Sequence, residues 1–276
     1  MKHKIPIPDN PDSVVSQMEN FIKIVKLLRQ DCPWDHEQSH NSLSHLLIEE
    51  AYEAVDAINR GDMNELTKEL GDILLHIVMH SVIASETNEF SFIDVIKSIS
   101  NKMIYRHPHV FEIDGNDTGS EINTSEQVLD NWEKRKMKEG RTSVLEGVPA
   151  DLPSLLRAER IQEKAARVGF DWINKQNVWA KVHEELGELK EEIDSNNQNK
   201  KEAEFGDVFF ALVNAARFEK IVPEHALQLT NLKFTKRFQY IEKRAKELNL
   251  NLSDMSLEEM DRFWNEAKQL EKEDNK

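Results

Sequence analysis

Five acidic residues recur at one fixed offset in this 276-residue chain. Glu49, Glu50, Glu53, Glu69 and Asp72 return 135 positions later as Glu184, Glu185, Glu188, Glu204 and Asp207. Acids fill 51 of the 276 places, so five prescribed positions would all be acidic by chance about twice in ten thousand trials per register. The chain reads as a duplication, and whatever it folds into must be built twice. Between 49 and 72 only eight of 24 positions match the copy, and five of those eight are the acids. The halves have drifted apart around a fixed carboxylate set, which a merely solvated charged face does not require.

The repeated unit is helical. Apolar residues recur at helical spacing, the first stripe being Val14, Val15, Met18, Phe21, Ile22, Val25 and Leu28, and strand-like alternation is nearly absent. Nine glycines and eight prolines make about half the usual share, which excludes a turn-rich β-sandwich. The pattern predicts a helix over Ser42–Asn59 broken by Gly61, a third helix opened by an Asp62/Glu65 capping box, and a fourth opened by Ser91 with Asp94. A solvated loop is expected over Ile113–Glu126, then a short helix to Glu139. Gly140, Gly147, Pro149 and Pro153 mark a linker. The expected fold is all-α, with two tandem helical-bundle domains over 1–139 and 154–276 joined by 140–153.

Glu53 and Glu69 lie eight residues either side of Gly61, and Glu50 and Asp72 eleven either side. In an antiparallel helical hairpin a rise of ~1.5 Å per residue sets each pair level, so four carboxylates converge. The copy behaves the same way about Asn196, pairing Glu188 with Glu204 and Glu185 with Asp207. Close carboxylates repel unless protonated or neutralised by cations. Oxygen-only donors favour Mg²⁺, with Mn²⁺ as a substitute, over zinc or iron. Such a cation suits a phosphate substrate, because it polarises phosphoryl oxygens and activates water.

The net charge of −15 argues against nucleic acid or an anionic membrane surface as partner. The glycines assemble neither a dinucleotide fingerprint nor a P-loop, and the most apolar run, Ile73–Ala84, is too short to span a membrane. One cysteine, Cys32, suits a reducing cytoplasm and reads as a packing residue. Lys102 and Arg106 are echoed by Lys233 and Arg237, each pair one helical turn apart, as candidate phosphate holders. Trp132 and Trp264 stand on the last helix of each half as candidates for base stacking or for packing, while Trp34 and Trp172 fall in turn-like stretches before the hairpins.

Together the doubled Glu-Glu-x-x-Glu and Glu-x-x-Asp, Cys32-Pro33-Trp34-Asp35, Arg106-His107-Pro108-His109-Val110-Phe111 and Val168-Gly169-Phe170-Asp171-Trp172 resemble the MazG family of nucleoside triphosphate pyrophosphohydrolases. The resemblance covers about residues 20 to 268. It implies an all-α NTP pyrophosphatase-like fold, Mg²⁺ dependence, homodimerisation, and hydrolysis of NTPs or dNTPs to the monophosphate and pyrophosphate. It further implies that Glu185, Glu188, Glu204 and Asp207 form the catalytic metal set, with Glu184 alongside. Lys233 and Arg237 would hold phosphates and Trp264 would meet the base, with Lys102, Arg106 and Trp132 as weaker analogues. Glu49, Glu50, Glu53, Glu69 and Asp72 match the same metal motif. Both halves keep all five acids, so the main catalyst stays open, with a preference for the second half because the long helix after Pro223 carries Lys233 and Arg237 uninterrupted. A non-catalytic nucleotide-binding regulator and a stepwise phosphatase are the alternatives.

Overall fold

The computed structural model describes residues 2–111, 123–138, 142–195 and 197–274. Among them every regular element is helical, and no helix is long and apolar enough to cross a membrane. The expected turn residue Asn196, residues 113–122 of the expected loop, and Gly140 and Arg141 of the expected linker lie outside the described residues. The chain divides into two compact units, Met1–Trp132 and Glu133–Lys276. That division falls inside a helix, Ser125–Lys138.

The first unit runs through α1 (Val14–Asp31), α2 (Pro33–Glu37), α3 (His40–Arg60), α4 (Met63–Glu86), α5 (Phe92–Arg106) and into α6 (Ser125–Lys138). α3 and α4 form a hairpin, and α1 and α5 pack on α4. Gly61 makes the turn possible. It sits at φ +68°, and its N–H and that of Asp62 close onto the last carbonyls of α3. Asp62 then caps α4 by accepting from the Glu65 N–H at 3.0 Å. The expected capping box is only half formed there, because the Glu65 side chain is taken by Lys68 at 2.7 Å. At Ser91 and Asp94 both halves of the box are present. The apolar stripe of α1 supplies Val25, which is fully buried with Leu43, Val78, Met79 and Val82.

Trp34 lies in a short helix, not in the expected turn. Pro33 occupies the first helical position, where its fixed φ suits the helix and its missing N–H costs nothing. Arg29 holds that helix in place, its Nη1 donating to the carbonyls of Asp35, His36 and Gln38 at 2.6, 2.8 and 2.9 Å. The other edge of the guanidinium grips Glu86 at the end of α4.

The second unit contains α7 (Ser154–Arg167), α8 (Lys175–Ile193), α9 (Gln198–Phe218), α10 (Pro223–Glu247), a 3-10 turn at Leu252–Asp254 and α11 (Leu257–Asp274). α8 and α9 form the hairpin, α7 and α10 pack on α9, and α10 packs on α7 and α11. Val178, Val182, Ala211 and Ala215 make its core. Buried Gln162 joins α7 to α9 by donating to the Phe210 carbonyl at 2.8 Å. Buried Lys164 donates to the carbonyls of Val144 and Glu146, anchoring part of the expected linker to α7. The Gly169–Trp172 stretch is stapled to the end of α9 by an Asp171–Arg217 ion pair. Both hairpins thus carry a Trp-bearing segment pinned to the far end of their second helix by an arginine.

Candidate metal centre

Each hairpin brings three carboxylates together. In the second unit ligand oxygens of Glu185, Glu188 and Glu204 all lie within 4.8 Å of one another, and in the first those of Glu50, Glu69 and Asp72 do the same. The level pairing about the hairpin turn therefore produces two clusters, but each gathers three acids of the expected four. Glu53 and Asp207 are exposed outside their respective triads, although Glu53 still acts electrostatically on Glu50 and Glu69. Glu49 and Glu184 sit beside the clusters, both exposed, since each is one residue removed from the converging face.

Electrostatics within the clusters disfavour the bare charges. Burial, then the Glu53 and Glu65 charges, pushes the Glu69 carboxyl up to about 7. Burial followed by Asp72 and Glu53 raises Glu50, while burial followed by Glu185 raises Glu188. The Oε2 of Glu204 is buried with no hydrogen-bond partner. A lone buried carboxylate oxygen within an all-oxygen cluster is the arrangement a hard divalent cation relieves, so the residues fit such a group.

The two clusters differ in one respect that the spacing of the acids does not reveal. Lys181 Nζ lies 2.7 Å from both Glu184 and Glu185, supplying a resident positive charge to the second cluster. The residue 135 positions earlier is Leu46, which packs against the core of the first unit. The signal was legible as a lysine one turn before Glu185. Likewise α4 carries His76 and His80 where α9 carries Ala211 and Ala215. His80 and His40 share a 2.7 Å Nδ1–Nδ1 hydrogen bond that ties the start of α3 to α4.

The expected phosphate-binding and aromatic residues form a second constellation in each unit. The Arg237 guanidinium lies over the Trp264 ring at 5.3 Å, and Arg106 lies over Trp132 at 5.9 Å, so the arginine–tryptophan pair is duplicated too. Arg237 is ion-paired with Glu271 at 2.7 Å. Lys102 and Lys233 are exposed, and Arg106 is buried.

The chain matches the model of the MazG nucleotide pyrophosphohydrolase domain twice, over residues 38–111 and 174–241. Each match contains one hairpin and its acids. A nucleoside triphosphate pyrophosphohydrolase/pyrophosphatase MazG of Thermotoga maritima is 39% identical over 252 residues, covering 91% of this chain and 95% of that protein. The nucleoside triphosphate pyrophosphohydrolase of Escherichia coli K12 is 38% identical over 266 residues, covering 93% of this chain and 99% of that one. The Bacillus subtilis protein YabN is 46% identical over 262 residues, and there the match spans 93% of this chain but only 52% of the longer relative.

Proposed function

Because this chain belongs to the MazG nucleotide pyrophosphohydrolase family, we propose that it hydrolyses ribo- and deoxyribonucleoside triphosphates to the monophosphate and pyrophosphate. The convergence of three carboxylates on each α-hairpin carries this reading. Glu185, Glu188 and Glu204 would hold Mg²⁺ or Mn²⁺, with Asp207 and Glu184 beside them. Glu50, Glu69 and Asp72 form the equivalent set, flanked by Glu53 and Glu49. A bound divalent cation supplies charge neutralisation at the phosphoryl oxygens and a water of lowered pKa.

The protein's own groups do the rest. The carboxylates would fix where a cation binds, and one of the flanking acids not bound to it would accept the proton of the attacking water. Lys233 and Arg237 counter the phosphate charge that the acidic chain as a whole repels, and Lys102 with Arg106 do so in the first unit. Trp264 supports the guanidinium of Arg237 and offers its remaining surface to the base. Lys181, paired with Glu184 and Glu185, offsets part of the charge that the second cluster gathers.

The functional molecule is a homodimer. Support comes from exposed apolar stripes at helical spacing: Ile48, Tyr52 and Val55 on α3, Trp179, Leu186 and Ile193 on α8, and Phe205, Phe209 and Leu212 on α9. The net charge and the single cysteine fit a cytoplasmic enzyme that does not bind nucleic acid.

Product chromatography tests the reading. ATP with Mg²⁺ should give AMP and pyrophosphate with no ADP on the way, and EDTA should stop the reaction. Accumulating ADP or orthophosphate identifies a stepwise phosphatase, and nucleotide binding without turnover identifies a regulator.

A further inference from the structure

We propose that Glu271 is a positioning residue that presents the phosphate-binding edge of Arg237, an inference that rests on the nucleotide reading above. A single carboxylate oxygen, Glu271 Oε2, accepts from Arg237 Nε at 3.0 Å and from Nη2 at 2.7 Å. Both side chains are largely shielded, 15% and 21% exposed. A guanidinium has five N–H donors in a rigid fork. The pairing occupies the Nε side and leaves Nη1 without a hydrogen-bond partner among the described residues. That Nη1/Nη2 edge is the one that grips two phosphate oxygens in parallel.

Trp264 fixes the remaining degree of freedom. The guanidinium carbon lies 5.3 Å from the Trp264 centroid, and Phe234 packs against the same indole at 5.2 Å. One face and one edge of Arg237 are thereby held before any substrate arrives, so the rotamer entropy of a long side chain is lost on folding and not on binding. The Glu271 carboxyl is held below its ordinary range, chiefly by Arg237 and further by Lys236 and Lys233, so it stays an anion at neutral pH. A helix staple alone does not demand this geometry. α10 and α11 already bury Ile241, Ala245, Phe263 and Ala267, and Glu266 bridges to Tyr240 and Arg244.

The test is steady-state hydrolysis of ATP with Mg²⁺ by the full chain and four variants: Glu271→Ala, Glu271→Gln, Arg237→Gln and the double Arg237→Gln/Glu271→Ala. Glu271→Ala should raise KM about tenfold with kcat within about twofold, since it loosens binding made equally in ground and transition states. Glu271→Gln keeps an oxygen that accepts from Nε and Nη2, so its KM should stay within about threefold of the parent. The double variant should be no worse than Arg237→Gln, because both act through one guanidinium. If Glu271→Ala does not fold, Glu271→Asp replaces it, withdrawing the carboxylate by one methylene, and should raise KM where Gln does not. An unchanged KM in Glu271→Ala beside a raised KM in Arg237→Gln overturns the proposal, as do effects that multiply in the double variant. A KM unchanged in Arg237→Gln itself refutes the phosphate role of Arg237, and the positioning role falls with it.

Discussion

Replacing Glu204 by Gln should make the metal-free protein more stable and shrink the stabilisation that Mg²⁺ adds, a combination that a solvated acidic face cannot produce. The side chain keeps its size and loses its charge. Two unit charges at the 4.8 Å limit of the cluster repel by about 3 kcal/mol at an effective dielectric near 20. Glu188 feels this charge, its carboxyl being raised by burial first, then by Glu185, and also by Glu204. The Lys181 ammonium, 2.7 Å from Glu185, offsets part of the repulsion, so the relief is about 1–2 kcal/mol. The buried Oε2, which has no donor, gives way to an amide that donates. Metal-free Tm should therefore rise by about 2–8 °C. With Mg²⁺ at a hundred times its Kd, the parent gains about 2.7 kcal/mol, and the variant should keep less than about half of that gain. Calorimetry in EDTA and in Mg²⁺ reads both numbers on one sample. A lower metal-free Tm together with an undiminished Mg²⁺ shift would show that Glu204 neither crowds its neighbours nor holds a cation.

Glu188→Gln should lower pyrophosphohydrolysis about a hundredfold at fixed Mg²⁺ while Glu69→Gln, a member of the first triad, does less; the opposite ranking in a rate assay would move the main catalytic site to the first unit and leave the chemistry standing. Arg29→Met removes three carbonyl bonds from a side chain only 12% exposed and should cost about 2–4 kcal/mol in urea unfolding. The Glu86 carboxyl is lowered chiefly by its hydrogen bond to Arg29, so that pair contributes above the ordinary carboxylate range and is lost as pH falls through the lowered value. The stability gap between Arg29→Met and its parent should accordingly narrow in acid; a gap that is constant or widens would refute the pairing. Gly61→Ala meets no atom within 4 Å but must adopt φ +68°, so it should cost about 1 kcal/mol through backbone strain alone, and Gly61→Asn less, by the same denaturation assay.

The helices, the duplication and the placing of the acids on converging faces follow from the order of residues alone. These depend on local rules: a hydrogen bond from each residue to the fourth before it, an apolar period near 3.6, and a glycine able to turn left-handed at position 61. Arithmetic about Gly61 was therefore enough to set Glu50 level with Asp72 and Glu53 level with Glu69. It was not enough to say which three of the four would meet. Level along the axis fixes the height of a Cα, whereas side-chain rotamers and the rotation of each helix, set by Val78, Met79, Val178 and Val182 in the cores, decide which oxygens touch. The grip of Arg29 on Glu86 spans 57 residues, that of His40 on His80 spans 40, and that of Arg237 on Glu271 spans 34. No local period encodes such pairs. They form because packing α1 on α4, α3 on α4 and α10 on α11 carries polar groups into places where an unpaired one would cost more than the bond returns. The same holds for the difference between the clusters: Lys181 and Leu46 are both ordinary helix residues in sequence, and only the folded hairpin places the ammonium of Lys181 against Glu184 and Glu185.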